Sequence, residues 1–200
     1  MQLVNMVISA ILQIILFSII PFIWWMITAR KDTSFLTWLG FKKIKATNKR
    51  NFRKAFFGTL LLFLIVSMFI LYMTREIETA TAQFLGLGFS ALLSAIMYSF
   101  VQTAFSEELF FRGFLAKRLI NKFGFNAGNL TQGLLFGIIH GVMFYGSVQV
   151  MIAVIITLFT CIIAVAMGYI NEKLAGGAIW PSWLIHGISN FFATLVALFS

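Results

Sequence analysis

Residues 105–113 read Phe105-Ser106-Glu107-Glu108-Leu109-Phe110-Phe111-Arg112-Gly113. Two adjacent carboxylates, with a guanidinium four positions beyond the second, are embedded in phenylalanine and leucine, and no charged residue occurs upstream as far as residue 79. The stretch from Phe84 to Leu119 contains no proline and has glycine only near its start and at Gly113, so it can form one long helix. Ionised groups are costly inside a bilayer, and such a cluster within an apolar helix marks a functional site.

The rest of the chain shows that a bilayer is the right setting. Of its 200 residues, 60% are hydrophobic and 10% charged, against roughly 45–50% and about 25% in soluble domains. Residues 1–29, 55–74, 79–106, 123–171 and 174–200 carry no charge, and each run is long enough for a crossing, the fourth for two. The expected fold is an all-α polytopic transmembrane helical bundle of about six spans. Five of these fall near 3–27, 55–73, 129–145, 148–170 and 179–199, and the third lies in the uncharged run 79–106, within the 84–119 stretch that is too long for one simple crossing. This leaves no room for a separate soluble domain.

The net charge of +9 would suggest nucleic acid in a soluble protein, but its distribution here argues for topology and against a nucleic-acid partner. Nine of the fifteen basic residues lie between Arg30 and Lys54, four more are Arg112, Lys117, Arg118 and Lys122, and Lys173 follows the fifth span. Alternating six spans places these inside and Arg75 outside, so both termini are expected outside. The N-terminal run lacks a charged n-region and a small-residue cleavage site, which argues against a removed signal peptide. Trp24 and Trp25 suit an interfacial belt at the end of the first span. The connection 28–54, with Trp38, Leu39, Phe41 and Ile44 among lysines, reads either as an amphipathic segment on an anionic leaflet or as an orientation-setting loop. Cys161, the single cysteine, reads as packing.

Only two histidines occur, His140 and His186, each in an uncharged span. At a rise of ~1.5 Å per residue, Glu107 lies about 15 Å inward from Lys117, His140 about 16 Å from Asn129 and His186 about 10 Å from Ile179. The three therefore reach similar depths in the cytoplasmic half. Helical spacing pairs Glu108 with Arg112, sets His186 and Asn190 on one face, and puts Phe136 one turn before His140. A base near water and donors aimed at a developing oxyanion are what peptide hydrolysis needs. Glu107, His140 and His186 could equally ligate zinc or another divalent metal with one position open.

The string Glu107-Glu108-x-x-x-Arg112, with Phe136-x-x-x-His140 and His186-x-x-x-Asn190 on later spans, resembles the CPBP family of CAAX prenyl protease-like membrane proteins, also called Abi proteins. The likeness covers roughly residues 80–195. It implies a membrane endopeptidase core in 80–200 and an N-terminal part, 1–79, of two spans and the basic cytoplasmic loop. It also implies that Glu107 and His140 activate water, that His186 and Asn190 stabilise the oxyanion or help to hold a metal, and that Glu108, Arg112 and Phe136 support the site. Expected partners are a peptide or protein substrate and the lipid bilayer, in a bacterial cell membrane. The alternatives are a non-catalytic membrane binder, such as a bacteriocin self-immunity protein, and a small proton-coupled transporter. The latter is discouraged by the lack of a two-halves repeat.

Overall fold

The computed structural model describes residues 2–46 and 48–200. Thr47, within the basic connection 28–54, lies outside them. The chain is all-helical, built from α1 (Gln2–Thr28), α2 (Phe35–Leu39), α3 (Lys49–Met73), α4 (Gly88–Phe123), α5 (Phe125–Phe144), α6 (Val150–Leu174) and α7 (Trp180–Leu198). Five of them, α1, α3, α4, α6 and α7, are long and apolar enough to cross a membrane. The sixth expected span is α5, whose apolar character is diluted by Asn126, Asn129, Gln132 and His140. The chain is a multi-pass membrane protein.

Helix α4 is continuous but is not a plain α-helix. Residues 97–105 and 109–116 follow wide, i→i+5 bonding on either side of a single α-turn at Ser106–Glu108. Such widened turns gather at functional sites, because they rotate side chains away from the regular 100° step. Here they flank the two glutamates.

Helices α5 and α6 form a tight hairpin. Gly133, Gly137 and Gly141 lie against Val165, Cys161 and Thr157 of α6, and a Cβ at any of the three would collide. Small residues at this spacing let two backbones approach where no hydrophobic effect drives association. Asn129 and Gln132 add hydrogen bonds to the Val165 and Ala164 carbonyls, each 3.0 Å long. Cys161 is buried in this interface.

The N-terminal helices pack against the rest of the bundle. Helix α1 lies along α4, with Phe17 edge-on to Phe110 and Gln13 accepting from Gln102 Nε2 at 3.3 Å. Phe52, Phe56, Phe63 and Ile70 of α3 cover a cluster of Phe159, Ile163, Met167, Ile170, Leu174 and Ile185 from α6 and α7.

The basic connection docks on the core rather than hanging as a free loop. Ser34 caps α2, and Gly40 ends it at φ 99°, a conformation that favours glycine. Gly40 O then accepts from Ile179 N at 3.1 Å, and Lys45 N donates to Ala175 O at 3.2 Å. Leu39 is fully buried against Gly113, and the Arg118 guanidinium lies 3.8 Å over the Trp38 ring. Lys117 Nζ completes the seam with an ion pair to Glu172 at 2.5 Å and a hydrogen bond to Gly177 O at 2.8 Å.

Candidate active site

Helices α4, α5 and α7 bring Glu107, His140 and His186 to one point. Glu107 Oε2 stands 3.9 Å from His140 Nε2 and 3.8 Å from His186 Nε2. Its side chain is 19% exposed and that of His140 24%, whereas His186 is 5% exposed. Glu107 Oε2 itself is buried, with no hydrogen-bond partner among the described residues.

Each imidazole is oriented from behind. His140 Nδ1 lies 2.8 Å from Phe136 O, and since a carbonyl only accepts, Nδ1 carries the proton. His186 Nδ1 donates to Glu108 Oε1 at 3.0 Å. Both rings therefore turn Nε2 toward Glu107. The rest of the pocket is aromatic. Phe136 lies 4.3 Å from the His140 ring, with a 40° tilt, and 6.1 Å from the His186 ring at 87°. Phe63 of α3 approaches His186 at 6.3 Å.

Arg112 is almost wholly buried, with Nη1 3.0 Å from Glu108 Oε1 and its guanidinium carbon 4.2 Å over the Phe136 ring. The guanidinium makes no hydrogen bond among the described residues, so ion pairing and ring contact hold it. A buried carboxylate needs such a counter-charge, because desolvation would otherwise cost several kcal/mol, on the order of 3–5. Glu108 thus serves Arg112 and His186 together, whereas sequence spacing connects it only with the former.

The six residues Glu107, Glu108, Arg112, Phe136, His140 and His186 form one cluster. Asn190 lies a turn further along α7 and is engaged elsewhere, its Nδ2 donating to Thr103 Oγ1 at 2.9 Å. Thr103 and Phe63 are the neighbours that sequence reasoning missed. A signal existed for Thr103, a hydroxyl one turn before Glu107 in an apolar helix, but none existed for Phe63.

The chemistry of the donor set suits a divalent cation: one carboxylate oxygen and two imidazole nitrogens, each oriented by a bond behind it. Its spacing is wider than a coordination shell, since ligands 2.0–2.2 Å from a tetrahedral ion lie about 3.4 Å apart. Among the described residues no three His, Cys, Asp or Glu side chains are gathered into a ready metal cage.

A family model described as type II CAAX prenyl endopeptidase Rce1-like matches residues 89–192, just over half of the chain, and spans every residue of the cluster. No curated protein and no solved structure matches the chain.

Proposed function

Because the chain belongs to the Rce1-like family of type II CAAX prenyl endopeptidases, we propose that it hydrolyses a peptide bond, in a peptide or membrane-associated protein near the cytoplasmic leaflet, by water activated at Glu107. The observation that carries this reading is the convergence of Glu107 Oε2 with two Nε2 atoms at 3.8 and 3.9 Å, each ring oriented from behind.

Proton counting divides the roles. A water held beside Glu107 has two protons to give and so satisfies two acceptors. His140, backed by a neutral carbonyl, remains an acceptor beside Glu107. His186 gives its Nδ1–H to the Glu108 carboxylate, which holds the ring in place beside them.

Hydrolysis then follows in two steps. The water oxygen attacks the scissile carbonyl carbon while its proton passes to Glu107, and an amide N–H of Asn190, beside the oriented His186 ring, receives the developing oxyanion. Glu107 returns the proton to the leaving nitrogen as the C–N bond breaks, releasing a carboxylic acid, which keeps the second water proton, and an amine. A divalent metal, when bound, would be held by Glu107, His140 and His186 and would polarise the carbonyl and acidify water. The apolar rings of Phe63 and Phe136 beside the imidazoles, with Phe111 against Phe136, lower the local polarity, which strengthens these interactions.

The test is cleavage of a peptide library by the detergent-purified chain and by Glu107→Ala, read by mass spectrometry. Products from the wild type alone support the reading. Products from neither would make the chain a binder.

A further inference from the structure

The Thr103 hydroxyl is the end of a fixed chain of hydrogen bonds. Oγ1 donates to the carbonyls of Tyr98 and Ser99, 3.0 and 3.1 Å away, in the widened part of α4. A hydroxyl has one proton, so Oγ1 faces Asn190 as an acceptor only. The Asn190 side chain must answer with N–H, and its Nδ2 lies 2.9 Å away. An amide with its oxygen turned to Thr103 would set two acceptors against each other. The register of this contact is fixed independently one turn on, where Ser99 Oγ meets Thr194 Oγ1 at 3.2 Å and Thr194 Oγ1 donates to Asn190 O at 2.8 Å.

We infer that Thr103 is a positioning residue that sets the amide of Asn190, so that one Nδ2–H is held by α4 and the other is left for the oxyanion of the peptide being cleaved. The inference rests on the proposed hydrolysis and adds to it a reason why Asn190 is prevented from flipping. Thr103 also couples the widened turns of α4 to α7, since the carbonyls that take its proton belong to that stretch.

The test compares the full-length purified chain with Thr103→Val, Thr103→Ser, Asn190→Ala and the Val/Ala double variant on the best-cleaved peptide of the library. Valine keeps the shape and removes the acceptor. Thr103→Val is expected to lower kcat about tenfold, less than the 10²–10³ typical of losing an oxyanion donor outright, with KM within twofold. Thr103→Ser is expected to restore kcat to within about threefold of wild type, and the double variant to be no more than about twofold slower than Asn190→Ala. Protein yield and thermal unfolding are measured alongside; if the valine variant does not accumulate, Thr103→Ala replaces it with the same expectations. Wild-type kcat in Thr103→Val, failure of serine to rescue, or a full additive loss in the double variant would overturn the positioning role while leaving hydrolysis standing. A wild-type chain that cleaves no peptide would overturn both.

Discussion

Glu108 Oε1 accepts a hydrogen bond from His186 Nδ1 across 3.0 Å, joining α4 to α7 directly behind the proposed water-activating group. The same oxygen stands 3.0 Å from Arg112 Nη1. One carboxylate thereby fixes the tautomer of a histidine and balances a buried cation, so substituting Glu108 disturbs both and substituting Arg112 only the second.

Glu108→Gln keeps the side-chain shape and an oxygen for His186 Nδ1–H, but removes the negative charge facing the buried Arg112, so it should lower accumulation as well as loosen the hold on His186. Its activity should fall by about 10²-fold, in the range of an impaired oxyanion site. Arg112→Ala should also reduce accumulation, because it strands a buried carboxylate at about 3–5 kcal/mol. Yield by immunoblot and kcat on the purified fraction measure the two; normal accumulation and full activity of Arg112→Ala would refute the ion-pair role.

Phe63 reaches the site from α3, outside the matched family region, and its ring centre lies 6.3 Å from that of His186. Phe63→Ala should admit water beside the imidazole and lower kcat about fivefold, while Phe63→Leu should retain most activity. Equal rates for Phe63→Ala and wild type would show that α3 contributes no wall to the site.

The distribution of basic residues predicts that the docked segment around Lys43 faces the cytoplasm and the Arg75–Glu78 turn faces outward. In a Cys161→Ala background, a cysteine at position 78 should react with an impermeant maleimide in intact cells, and one at position 43 only after permeabilisation. The reverse pattern would invert the assigned orientation.

A resident divalent metal on Glu107, His140 and His186 predicts metal in the purified protein, loss of that metal in His140→Ala, and loss of activity on chelation that zinc restores. Metal content by mass spectrometry gives a readout independent of turnover. Activity that survives exhaustive chelation in metal-free protein would assign water activation to Glu107 and His140 alone.

Much of this was legible in the sequence. Uncharged runs locate the spans, and the shared depth of Glu107, His140 and His186 anticipates their meeting, because a helix converts residue number into depth almost without freedom. Rotation about the helix axis is less constrained. The widened turns of α4 leave no composition signal, so the i, i+4 rule pairs Glu108 with Arg112 but does not reveal its bond to His186. Contacts between distant segments were the least visible. Gly40 against Ile179 and Phe63 against His186 depend on how helices dock, and the apolar sequence of α3 would suit a lipid-facing helix equally well.

The central claim, that Glu107 directs water onto a peptide bond, is tested most directly by cleavage in H₂¹⁸O. Wild-type protein should place one ¹⁸O in the new carboxyl terminus, and Glu107→Gln, equally folded and equally abundant, should lose product formation by about 10³-fold or more. Product formed at the wild-type rate by Glu107→Gln, or product lacking ¹⁸O, would contradict the account.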